Sequence, residues 1–328
     1  MLRILHGTNY DFIKVWRLMV AITVAFIVVG LGMVVNRVVQ GRPAINKSIE
    51  FSGGTLMQLK FAKPPGDDGL RKVLDAAGYG HAEIQQFGSP LEYTVRARLG
   101  TGKMSAAQGD SMSAQISRAL TATYGESGVS VPRHEFVGPR VGDELQTNAI
   151  IAILISFAVT LVYLAVRFEW RFGLAAVVAT AHDTVTTIAF ITIMHLEVSL
   201  TVVAAILTVI GYSLNDTIII FDRVRENLKK QRRESLRDVL NRSINETLPR
   251  SIMTHMTTLA ATVALLLFAG EVIRPFSWVM TFGIFTGTFS SIYVAGALLL
   301  YIEYRWPRGT DKGTSRALAE DRRHAAAD

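Results

Sequence analysis

The stretch GYSLNDTIIIFDRVREN, residues 211–227, places Asp216 inside an otherwise apolar run. A carboxylate at the centre of a membrane helix costs about 2.5–3.5 kcal/mol on insertion scales, so such a group faces a partner or a water-filled path. Asp216 is therefore the first functional candidate. The apolar run ends at Asp222 and Arg223, where a strongly basic segment begins, so Asp216 belongs to the half of its helix nearer that basic side.

Composition sets the class around this stretch. A chain of 328 residues could hold two or three soluble domains, yet 50% of it is hydrophobic and those residues come in long blocks. That is a membrane composition. The net charge of +7 does not indicate nucleic acid, because the basic residues cluster beside the apolar spans. There they report orientation and contact with anionic lipid. The absence of cysteine excludes disulfides, thiolate catalysis and cysteine metal sites.

The expected fold class is an α-helical polytopic membrane protein with six transmembrane helices plus one small α+β domain between the first and second. Residues 1–17, with Arg3, Lys14 and Arg17, precede the first span, 18–35. No small-residue cleavage pattern follows it, so it reads as a retained anchor with a cytoplasmic N-terminus. Residues 36–146 are polar, change period repeatedly and carry enough apolar positions for a small core. Phe51 to Phe61 reads as a strand opened by Gly53 and Gly54, 68–77 as a helix, and 82–87 with 91–99 as a hairpin across Gly88, Ser89 and Pro90. Tyr93, Val95, Ala97 and Leu99 alternate with Glu92, Thr94, Arg96 and Arg98, the mark of a half-buried strand. A helix over 106–124 and a strand over 129–137 complete the order β-α-β-β-α-β of a ferredoxin-like sandwich. The FSGGT glycines lack the Lys-Ser/Thr ending of a phosphate cradle and predict a bend or a close backbone approach.

Five further spans are expected within 147–302, at 147–166, 172–194, 198–221, 251–270 and 276–302, each long enough to cross about 30 Å of hydrocarbon. Arg167, Arg171 and nine Lys and Arg from Asp222 to Arg250 fall on one side, while the opposite short loops hold only Arg274. The bias makes both termini cytoplasmic and residues 36–146 extracytoplasmic. In 222–250, Val224, Leu228, Leu236, Val239, Leu240 and Ile244 recur at helical spacing and predict an amphipathic, lipid-facing interfacial helix. The polar tail, 303–328, lacks a sustained apolar stripe and is expected to be largely disordered.

Polar groups inside three spans repeat at three- and four-residue intervals, which puts them on single helix faces and argues for a bundle interior. These are Thr208, Tyr212, Ser213 and Asp216, with Asn215 alongside; Thr180, Asp183 and Thr187 with His182; and Arg250, Thr254 and Thr257 with His255. Arg250, just after Pro249, is the natural counter-ion of Asp216, which lies about 8 Å inside its helix end at 1.5 Å per residue. Two carboxylates, two histidines and an arginine are the ingredients of a proton path. The competing structural readings are a static Asp216–Arg250 pair that fixes helix register and histidines that only bond a neighbour. No metal-ligand spacing, Ser-His-Asp set or nucleotide-binding signal is present, so an enzyme such as an intramembrane hydrolase built on His182 and Asp183 is disfavoured and no cofactor is expected beyond protons.

The chain resembles the SecF family, the smaller membrane subunits of SecD–SecF protein-export complexes, which are similar to resistance-nodulation-division transporters. GYSLNDTIIIFDRVREN carries the resemblance, supported by FSGGT at 51–55, VGPRVGDEL at 137–145, HDT at 182–184 and TLPRS at 247–251. It implies a bacterial inner-membrane protein that uses the protonmotive force in late translocation and release of an unfolded secreted protein. It implies SecD, the SecYEG translocon and a YajC-like accessory protein as partners, besides the lipid bilayer. Asp216 takes the role of proton-linked carboxylate, Arg250 that of its basic partner, and Asp183 is an addition. With a cytoplasmic segment ahead of the first span, a subunit separate from SecD is expected. A passive translocon scaffold and half of a lipid or drug transporter are the alternatives.

Overall fold

Long apolar runs become long helices, and the polar stretch between the first two becomes a sheet. The computed structural model describes residues 8–80, 82–86, 89–97, 106–230, 234–270 and 272–306, apart from the side chains of 106–110, 139 and 140. A single 3₁₀ turn, Ile13–Val15, leads into α1, Trp16–Val39. There follow α2 (Ile49–Ser52), β1 (Gly54–Phe61), α3 (Asp67–Ala76), β2 (Glu83–Gln86), β3 (Glu92–Ala97), α4 (Ala106–Tyr124) and β4 (Val129–Val137). The remainder is helical: α5 (Pro139–Arg167), α6 (Trp170–Ile193), α7 (Leu200–Lys230), α8 (Leu236–Phe268) and α9 (Arg274–Ser290), which runs through a π-helical turn, Ser291–Ala295, into α10 (Gly296–Arg305). Among the described residues, six helical spans are long and apolar enough to cross a membrane, α9 to α10 counting as one.

The chain divides into two units. One comprises residues 46–152 together with 197–200. Its four strands are antiparallel in the order β2-β3-β1-β4. Met57, Leu59, Phe61, Tyr93 and Val95 point from the sheet onto Leu70, Leu74, Ile116 and Leu120 of α3 and α4, all buried. β1 is shorter than Phe51–Phe61, because 49–52 wind into a turn of helix before Gly53 (φ +66°) and Gly54 (φ +127°) redirect the chain. Both angles lie where glycine carries no steric penalty. A Cβ on Gly142 would stand 3.1 Å from Gly53 N and 3.3 Å from Phe51 C, so FSGGT and VGPRVGDEL pack backbone against backbone. That is the close approach expected of these glycines. Arg96 departs from the expected solvent face of β3: it is only 7% exposed and is held by Glu83 and Glu197. Phe87, Gly88, Arg98 and Leu99 lie outside the described residues, as does the tail from 307.

The other unit comprises residues up to 45, 153–196 and 201 onward. Phe172 and Phe221 meet edge to face at 5.4 Å in its core, with Leu164, Ala175, Ala179 and Leu299 around them. Here the expectation for 222–250 is corrected. Val224, Leu236, Val239, Leu240 and Ile244 are buried in this core, with Leu228 packed against it, because α7 and α8 run on through the segment instead of giving way to a separate interfacial helix. The start of α8 is further pinned by Asn245, which accepts from Tyr10 N (2.9 Å) and donates to Tyr10 O (2.8 Å), and by Asn241, which accepts from Phe12 N (2.8 Å). Core burial and main-chain pairing outweigh what contact with lipid would give an apolar stripe. By contrast α1, α5 and the second half of α8 leave most of their apolar side chains uncovered, Leu154 and Phe268 among them.

Candidate functional site

Small residues let α6, α7 and the last span approach closely enough to bury polar groups between them. A Cβ on Gly287 would stand 3.1 Å from Ser213 Cβ, and one on Gly283 would collide with Val209. Between these helices Asp183 is 1% exposed and Asp216 is 2% exposed. They sit in different surroundings.

Asp183 Oδ1 lies 3.1 Å from His182 Nδ1, and its Oδ2 accepts a bond from the Ser213 hydroxyl, with Ser290 alongside. His182 Nε2 in turn lies 3.1 Å from Thr23 Oγ1 on α1, and that hydroxyl is also 2.9 Å from Val20 O. Thr23 has one proton to place. Directed at Val20 O, it accepts from His182 Nε2–H, and Nδ1 and Asp183 then share a further proton. Directed at His182, it leaves Nδ1–H to serve an ionised Asp183. One hydroxyl rotation thus accompanies one proton on the pair.

Asp216 Oδ1 accepts from Ser251 at 2.7 Å, and its Oδ2 is buried with no partner among the described residues. His255 Nδ1 lies 2.5 Å from Ser251 O, its Nε2 is likewise buried without a partner, and the Tyr212 ring meets it edge-on at 5.2 Å. The Tyr212 hydroxyl bonds Thr254 O and Thr258 Oγ1, both at 2.8 Å. Arg250 is not brought onto Asp216. It is exposed and lines a cavity of about 440 Å³ with Asp222, Arg223, Glu246 and Thr247. Successive residues on an α-helix point about 100° apart at 3.6 per turn, so when Ser251 faces Asp216 its neighbour faces elsewhere. Thr180, Thr187 and Thr254 spend their hydroxyls on carbonyls of their own helices, while Thr208, Asn215 and Thr257 are exposed.

Thr23 and Ser251 complete the two clusters, while the Ser290 hydroxyl near Asp183 is buried with no hydrogen-bond partner among the described residues, and the sequence reading passed over all three. Thr23 is the single hydroxyl in the run from Leu18 to Val35, and Ser251 closes TLPRS, so each left a trace in the sequence. Ser290 left none that distinguishes it from Ser291, which bonds Thr217 (2.9 Å) at the π-helical turn. Among the described residues no group of three or more His, Asp or Glu could hold a metal ion.

Residues 116–305 match the family described as the C-terminal region of SecD/SecF protein export membrane proteins. A protein translocase subunit SecF of Gemmatimonas aurantiaca is 59% identical over 322 residues, covering 97% of this chain and 94% of the relative. The chain belongs to the SecF family. A SecF from Escherichia coli O157:H7 is 37% identical over 90% of this chain and 88% of its own length. The crystal structure of SecDF, a translocon-associated membrane protein from a Thermus species, matches with a TM-score of 0.79 at 34% identity, covering 92% of this chain. This SecF-family chain spans 39% of that solved chain. It is a multi-pass membrane subunit of a protein translocase.

Proposed function

We propose that this chain works with SecD in the bacterial inner membrane, using the protonmotive force to promote late translocation and release of secreted proteins. Asp216 is the proton-linked carboxylate, Arg250 its mobile basic partner and Asp183 with His182 a second proton site. The observation that carries this reading is the Asp216 oxygen left buried without a partner among the described residues, close in sequence to a cavity lined by Arg250. A buried polar atom without a bond is costly, and a proton or an incoming guanidinium removes that cost. Ionised Asp216 draws Arg250 toward it; protonated Asp216 lets it go, and the helices shift. One charge crossing the membrane supplies about 2.3 kcal/mol per 100 mV, enough to bias such a two-state step.

In this reading residues 36–146 form a ferredoxin-like extracytoplasmic domain, both termini are cytoplasmic, and the shift is passed to the domain beside the emerging chain. The basic bias from Asp222 to Arg250 supports that orientation. The SecYEG translocon, a YajC-like protein and the unfolded exported chain are the partners it implies, and protons take the place of a cofactor. No catalysed reaction is assigned. The test is protonmotive-force-dependent release of an exported protein from membranes carrying Asp216→Asn with SecD, after assembly is verified. Release is expected to be lost with assembly intact; full release would reduce the pair to helix packing and favour a passive scaffold.

A further inference from the structure

The unit built on the sheet includes four residues from far along the chain, Glu197–Leu200. They are not loosely laid on it. Val198 forms a parallel bridge with Lys47, donating to Asn46 O (2.8 Å) and accepting from Ser48 N (2.9 Å). Glu197 pairs with Arg96, which Glu83 holds from the other side at 3.0 Å. Leu200 is the first residue of α7, and its N–H donates to the Glu50 carboxylate at 2.6 Å. A carboxylate there satisfies one of the four N–H groups a helix start leaves open and complements its dipole. Glu50 lies in α2, and the backbone at Phe51 and Gly53 is the surface against which Gly142 of α5 packs. Lys47 reaches the same helix through Gln146, at 2.7 Å. Residues 46–54 therefore hold two helices at once, α5 through Gly142 and Gln146 and α7 through Leu200. Asp216 lies further along α7, and α6, which carries Asp183, ends four residues before Glu197.

We propose that residues 46–54, with Arg96 and Glu197, are a transmission clamp: they fix the first residue of the Asp216 helix to the sheet, so that displacement of that residue is delivered to the sheet. Glu50 and Arg96 act as positioning residues, away from the reacting carboxylate. The clamp stays closed through the cycle. The inference rests on the reading of Asp216 as the proton-linked group.

The chain has no cysteine, so a Lys47→Cys/Val198→Cys pair can be oxidised without background. Paired strands lie about 4.8 Å apart, inside the Cα range a disulfide requires. Glu50→Ala/Arg96→Met removes the side-chain part of the clamp. With SecD present and assembly verified, release from Glu50→Ala/Arg96→Met is expected to fall about tenfold or more, as loss of charge-assisted bonds implies. Carbodiimide labelling of Asp216 should keep its pH dependence in that variant. Adding the cysteine pair should restore release on oxidation and not on reduction, and oxidation in the otherwise native chain should leave release intact. Undiminished release from Glu50→Ala/Arg96→Met, no rescue by oxidation, or a block on oxidising the native chain would each overturn the clamp. Failure of the premise is separable, because it shows as normal release from Asp216→Asn alone.

Discussion

Asp183 and Asp216 are both shielded from solvent in the helix bundle, and their surroundings are opposite in kind. Asp183 has a partner on each oxygen, His182 on one and Ser213 on the other. Asp216 has Ser251 on one oxygen and nothing on the other among the described residues. A buried carboxylate bonded at both oxygens has its acceptors met, whereas one bonded at a single oxygen leaves an unmet demand that a second arrangement can satisfy. In the proposed reading the contrast divides the labour: the Asp183 cluster ties three helices together around one proton site, and Asp216 is where an incoming Arg250 meets an open acceptor.

The largest expected effect tests that division through stability. Asp183→Ala strands His182 and Ser213, and leaving a buried donor without its acceptor costs about 1–3 kcal/mol each. Asp216→Ala forfeits one bond, about 0.5–1.5 kcal/mol, and removes an unmet acceptor as well. Thermal unfolding of the purified chain should therefore rank Asp183→Ala well below Asp216→Ala. The reverse ranking would break the comparison, since it would make Asp216 the structural member of the two. Release should rank the other way, with Asp216→Asn inactive at near-native stability.

A smaller effect sharpens the same contrast. Among the described residues Ser251 is the one side chain that bonds Asp216, so Ser251→Ala should leave stability within about 1 kcal/mol of native yet raise carbodiimide labelling of Asp216. Ser251→Thr, which keeps the hydroxyl, should label like the native chain. Equal labelling of all three would mean that the serine does not govern access to the carboxylate.

The burial of Asp216 was legible in the sequence because one charge in an apolar run is costly wherever it points. Its partner was not. Spacing on α8 put Arg250 and Ser251 at nearly the same depth, and only the rotation of that helix, set by packing of Leu240, Ile244 and Leu248, decides which faces α7. The same packing explains 222–250: an apolar stripe among charges reads identically whether it covers lipid or a protein core. Thr23 shows the other limit, since its worth comes from His182, 159 residues away. In the sheet unit, helix 106–124 and strand 129–137 were legible to the residue because period and turn signals are local. Burial of Arg96 was not, because what covers it arrives a hundred residues later at Glu197.

Glu197 gives the smallest effect and a different kind of contrast, a carboxylate outside the apolar spans whose charge already has a partner. Burial pushes its carboxyl above the ordinary glutamate range; Arg96 opposes this, while Glu83 and Glu50 add to it. A carboxyl raised in the folded state favours the protonated form there. Its contribution to stability is thus fully present below its unfolded value, about 4.3, and is lost as pH rises through the higher folded value. Solvent screening keeps this modest, because 28% of the side chain is exposed. Exchange of the Val198 and Leu200 amides, corrected for intrinsic rates, reports it directly, since both donate inside the clamp. Protection in the native chain should fall as pH rises through that window, while Glu197→Gln, of the same shape and without charge, should show no such slope. If both chains share one slope, Glu197 is not the titrating group, and the charge on the Arg96 pair does not tune the clamp.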